Sequence, residues 1–99
     1  MKKYDQNKNR LDLVPVGPIE AVGRVRTYAI SKYGQDGVDG WHKIDSAKDR
    51  YYAALLRHLF AWRRGEKIDD KESGGSGLPH LEHVLCNAFF LHELENKDK

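Results

Sequence analysis

His80, His83 and Asn87 stand three and four residues apart in SGLPHLEHVLCNAFFLHELE, residues 76–95. On a helix that spacing puts all three on one face. Arg57 and His58 come from another apolar-striped segment, so two helices can bring five polar groups together. Three chemistries fit the set. Buried histidine and asparagine can simply bond to backbone carbonyls and carboxylates. Alternatively, His80 and His83 can share a divalent metal ion, completed by His58 and by Glu66 or Asp69. Or Arg57, His58, His80 and His83 can present donors to a phosphate, aided by the free amides of a helix N-terminus and by the glycine-rich SGGSG before it. In that third reading Arg10 and Asp12 reach over the mouth of the pocket, and Tyr33 and Trp41 stack on a base.

Glu66 and Asp69, in EKID, are a carboxylate pair of the kind that holds Mg²⁺ for phosphoryl chemistry. They follow Gly65, at a helix end or in a loop. The single cysteine, Cys86, has no evident base or cation on its face and reads as a packing residue. There is no P-loop and no HExxH, and nothing resembles a Ser-His-Asp arrangement.

Three helices must position these groups. The first is expected from about Pro18 to Tyr33, with Ile19, Val22, Val25, Ala29 and Tyr33 as its apolar stripe and Gly34 as its left-handed stop. A loop, GQDGVDGWHKID, follows, with Trp41 pinned to the core. The second helix starts at a Ser46 cap, with Asp49 reaching back, and runs to Gly65. Its stripe is Tyr52, Leu55, Leu59 and Trp62. A polar loop expected to be flexible at 74–77 leads to the third helix, Pro79 to Glu95. On that helix Leu81, Val84, Leu85, Ala88 and Leu91 share one arc, while Glu82, Cys86 and Glu93 suit solvent.

Upstream, RLDLVPVGP reads as an extended arm laid against the body. The expected organisation is a mobile tail at 1–9, one helical domain at 10–95 and a charged tail at 96–99. The fold class is all-α: a small three-helix bundle with an extended N-terminal arm, completed by oligomerisation. With 99 residues, one cysteine and a net charge of +2, the chain reads as a cytoplasmic domain from a reducing compartment. No apolar run approaches the roughly 18 residues of a membrane span. The charge balance gives no strong nucleic-acid signal.

Several motifs together resemble a phage and prophage family named for the N-terminal domain of dATP/dGTP diphosphohydrolase. They are Arg10, Asp12, Leu13 and Pro15 in the arm; Lys32, Tyr33 and Gly34 after the first helix; Arg57 and His58; Gly65, Glu66 and Asp69; and Ser76, Gly77, Leu78, His80, Leu81 and His83, with Asn87 beyond. The resemblance implies an all-α fold and a role in purine deoxynucleotide metabolism in an infected or lysogenic bacterial host. The associated reaction removes pyrophosphate from a dNTP, similar to MazG-type enzymes. Under that implication Glu66, Asp69 and His58 are the catalytic candidates and Mg²⁺ the cofactor. Arg10, Asp12, Tyr33, Trp41, Arg57, His80, His83 and Asn87 contact the nucleotide, and Glu66, Asp69, His80 and His83 are the metal candidates. The alternative is a module that binds a nucleotide or a partner without chemistry.

Overall fold

A computed structural model describes residues 6–97. The expected tail at 1–9 and the charged tail at 96–99 therefore lie partly outside the described residues. The architecture is all-α: α1 (Gly17–Tyr33), α2 (Gln35–Asp39), α3 (Ala47–Arg63) and α4 (His80–Lys97), with single 3₁₀ turns before α1, between α2 and α3, and between α3 and α4. Pro18 sits in the first turn of α1, where its missing N–H costs nothing. Gly34 ends that helix with φ +62°, a conformation few side chains accept.

α4 is the central rod, packing most extensively on α3 and then on α1. Val22 and Val25 of α1 meet Cys86 of α4 in the core, with Leu78, Leu85 and Phe90 against them. The short segment after α1 folds back on it, and Trp41 stacks on Phe90 with ring centroids 4.5 Å apart and planes 11° apart. The Tyr51 hydroxyl donates to the Trp41 carbonyl at 2.6 Å. Trp41 is thus pinned as expected, half-buried between α3 and α4.

Several local expectations are corrected. The segment after Gly34 is a short helix and a 3₁₀ turn rather than open loop. Ser46 has φ +53° and makes no capping bond, because an N-cap needs an extended backbone to reach the first-turn amides. The arm does not lie on the body. Leu11 and Leu13 are 75% and 69% exposed, and their turn closes on itself through Leu13 N–H to the Arg10 carbonyl. Ile19, Tyr33, Tyr52 and Trp62, expected in the stripes, are also exposed.

On α4 the polar arc is buried more deeply than the leucine arc, of which Leu85 still packs against the core. The helix's buried residues are His80, His83, Cys86, Asn87 and Leu94, whereas Leu81 and Ala88 face out. Cys86 is 2% exposed, as its reading as a packing residue requires, although its place on the wheel had suited solvent. Glu82 is bonded through both oxygens to Arg24 of α1 at 3.0 and 2.7 Å. Among the described residues no large side chain is fully buried, so the monomer's core is thin.

Candidate functional site

The loop between α3 and α4 is closed by its own backbone. Ile68 and Pro79 form an antiparallel bridge. Asp69 N–H donates to the Leu78 carbonyl at 2.9 Å, and His80 N–H to the Lys67 carbonyl at 2.9 Å. The segment expected to be flexible is therefore well bonded, and Ser76 within it is buried. Its glycines serve close packing: a Cβ at Gly75 would fall on the Asp69 carboxylate.

This loop turns its amides inward. Gly75 N–H donates to the Asp70 carbonyl and Gly77 N–H to the Asp69 carbonyl. Ser76 N–H and Oγ reach Asp69 Oδ2 at 3.0 and 3.2 Å, and Leu78 N–H donates to Ser76 Oγ. The expected phosphate cradle is thus filled by the protein's own carboxylate, and the His80 amide at the start of α4 is also engaged.

Around Asp69 the histidines gather. His83 Nε2 lies 2.6 Å from Ser76 Oγ and 3.7 Å from Asp69 Oδ2. His58, from α3, stacks on His83 with centroids 4.4 Å apart and planes 10° apart. Its Nδ1 lies 2.8 Å from His80 Nδ1, so one ring donates and the other accepts. Tyr28 of α1 meets His83 edge-on at 6.4 Å. Three parts of the sequence therefore converge on one cluster: His58, then Asp69 with Ser76, then His80 with His83.

Burial pushes the His58 imidazole down to about 4, helped by neighbouring His83. Burial lowers His83 too, against the opposing pull of Asp69. Both rings are thus biased toward the neutral form, which weakens the ionic character of the His83–Asp69 contact. Burial on its own would raise Asp69, but the Ser76 amide and hydroxyl outweigh it and hold the carboxyl below its ordinary value. The site sets an ionised carboxylate beside two imidazoles, His58 and His83, whose charged forms are disfavoured.

The cluster brings together His58, Asp69, His80 and His83 of the sequence candidates. Asn87 is buried one turn on, its amide donating to the His83 carbonyl at 2.8 Å. Glu66 lies apart, its exposed carboxylate 3.7 Å from Arg64. Arg57 is exposed. Arg10 and Asp12 pair with each other at 2.8 Å, both largely exposed. Tyr33 and Trp41 line a separate cavity of about 620 Å³ with Arg26, Arg50, Tyr51 and Phe90. One face of Trp41 is covered there by Phe90, and the Lys97 ammonium lies 5.6 Å from its ring centre. Ser76 was missed by sequence reasoning. A Ser–His–Asp contact does exist, and its signals were the shared place of Asp69, Ser76 and His83 in the family motifs and the seven-residue step from Asp69 to Ser76 and from Ser76 to His83.

Among the described residues, a shallow, open surface groove touches the cluster at Ser76 alone. It has a volume of about 570 Å³ and runs along α1, past Gly23, Arg24, Thr27 and Tyr28 to Ser76 and Leu78. Among the described residues, His58, Asp69 and His83 are also the group able to offer three metal-ligand atoms within 4.8 Å of one another.

These features define an all-α domain that holds a half-buried carboxylate–serine–imidazole centre. A family model described as "dATP/dGTP diphosphohydrolase, N-terminal" matches residues 1–99, and the chain belongs to that family. No curated protein and no solved structure matches it. No helix of the described residues is long and apolar enough to cross a membrane.

Proposed function

We propose that the domain acts on purine deoxynucleoside triphosphates, dATP or dGTP, and releases pyrophosphate. The observation that carries this reading is the convergence of His58, Asp69, His80 and His83 in a chain of the dATP/dGTP diphosphohydrolase family. The groove ending at Ser76 is large enough to admit a nucleotide beside the cluster. In the reaction a water attacks the α-phosphorus, the bond to the α–β bridging oxygen breaks, and pyrophosphate leaves. The His83 imidazole takes the proton from the water. Asp69, fixed by Ser76, stabilises the imidazolium that forms.

Among the described residues Asp69 is not joined by Glu66 in an all-oxygen cage for Mg²⁺, since Glu66 faces Arg64. Mg²⁺ enters this reading as the counter-ion of the triphosphate. We assign the activity to phage growth in the bacterial cytoplasm, and read the exposed apolar side chains of α3 and α4 as surfaces for self-association. Incubating the purified chain with dATP or dGTP and Mg²⁺, then separating products by ion-exchange chromatography, tests the main claim. Equimolar dNMP and pyrophosphate are expected. Their absence with all common nucleotides and with Mg²⁺ or Mn²⁺ would overturn it.

A second reading is a nucleotide-binding module without chemistry. It is favoured by the burial of the cluster, since Ser76, His80 and His83 are each 8% exposed or less. A melting temperature raised by dATP or dGTP, with no product, selects it.

A further inference from the structure

We infer that His58, Asp69 and His83 bind one divalent ion of borderline softness, such as Co²⁺ or Zn²⁺. The inference rests on the reading that this cluster is the functional centre; an imidazole coordinated to the ion has no free lone pair, so the bound ion would take over the activation of water from the imidazole. Each of the three side chains offers one ligand atom, and these atoms all lie within 4.8 Å of one another. Ligands about 2.1 Å from a common ion sit roughly 3–4 Å apart, so small side-chain rotations close the site. Two imidazoles with one carboxylate favour first-row transition ions, whereas Mg²⁺ prefers oxygen ligands and keeps its water. Three protein ligands also leave coordination positions open on the ion.

The surroundings hold these side chains as a metal centre's outer partners do. Asp69 is oriented by the Ser76 amide and hydroxyl, and His58 is held through Nδ1 by His80. Such outer hydrogen bonds set the aim of coordinating groups. One movement is needed. The His58 and His83 rings are stacked 10° from parallel, and an ion lying in both ring planes requires one of them to turn. His83 is the ring that turns, exchanging its 2.6 Å contact with Ser76 Oγ for the ion. The Ser76 hydroxyl then keeps Asp69 as its partner.

Titrating the metal-stripped full chain with Co²⁺ tests this, with visible absorption and calorimetry as readouts. One Co²⁺ per chain is expected, bound at least about tenfold more tightly than Mg²⁺. His58→Gln and Asp69→Asn should each weaken Co²⁺ by about tenfold or more, while His92→Gln, at an exposed position, changes nothing. Should a variant fail to fold, the unmodified chain decides: trace Mn²⁺ should broaden the imidazole NMR signals of His58 and His83 before those of His42 and His92. Absence of stoichiometric Co²⁺ binding, equal affinity for Mg²⁺, or broadening led by His42 or His92 would overturn the site. No nucleotide is present, so the result is separable from turnover. Co²⁺ binding without dNTP hydrolysis upholds the ion site and removes the hydrolase reading, whereas hydrolysis without Co²⁺ binding does the reverse.

Discussion

Replacing Asp69 by alanine should be among the most damaging single changes in the chain, and its size can be worked from the geometry. The Asp69 carboxylate accepts the Ser76 amide at 3.0 Å and the Ser76 hydroxyl at 3.2 Å. Ser76 is 5% exposed, so its N–H has no route to water when the carboxylate goes. A buried donor left alone costs about 1–3 kcal/mol, and bonds to a charged group are worth about 1.5–3 kcal/mol. The Asp69 side chain is 25% exposed, and water at that edge offsets part of the loss. The expected destabilisation is therefore about 2 kcal/mol. For a domain this small that lowers the melting temperature by about 8–16 °C. Asp69→Asn keeps an oxygen acceptor and should cost about half as much. Far-UV circular dichroism melts, checked by urea unfolding, measure both. A melt for Asp69→Ala within about 2 °C of the parent would refute the claim that this carboxylate organises the loop.

Gly23, in mid-α1 with open space around it, should accept alanine and stabilise the chain by about 0.5–1 kcal/mol. Gly37→Ala should instead destabilise by about 2 kcal/mol, because the new Cβ falls on the Ala29 carbonyl oxygen; urea curves for the pair decide. Cys86, whose thiol burial pushes up to about 11, should react with a disulfide reagent at pH 8 about 100-fold more slowly than free cysteine, regaining normal reactivity in denaturant. The Glu82 carboxyl is held below its ordinary value by its bonds to Arg24. A depressed folded value means the pair stabilises above the ordinary carboxyl range, and that support is lost as pH falls through the folded value. Glu82→Gln should therefore flatten the dependence of melting temperature on pH on the acid side of pH 5; an unchanged slope would refute it.

The three long helices were legible because their apolar spacing, Pro18 and Gly34 act locally, within one or two turns. Which face of α4 is buried was not. A helical wheel separates the leucine arc from the histidine arc, but both can pack, and the choice depends on partners far away in sequence. Here α3 brings His58 to His80, and the loop brings Asp69 and Ser76 to His83, so the polar arc is satisfied inside while Leu81 stays out. The same cause hid Cys86, whose neighbours in the core, Val22 and Val25, come from α1. Ser46 misled for another reason. Its residue type suits a cap, but its left-handed backbone does not. The glycine-rich loop was read as a cradle for a foreign anion. That reading had the right chemistry and the wrong guest, since Asp69 is the anion the loop encloses.

The antiparallel bridge between Ile68 and Pro79 works as a clasp at the neck of the loop, and it separates the length of the loop from the spacing of the site. Asp69 stands immediately inside the clasp and His80 immediately outside it, so their relative placement is set by the clasp and not by how much chain lies beyond. Near the loop's apex, Lys71–Ser73 is a single exposed 3₁₀ turn, and lengthening a flexible loop adds closure entropy only logarithmically. The apex is thus a natural place for the polypeptide to grow, shrink or accept a graft, while the imidazoles and the carboxylate keep their register.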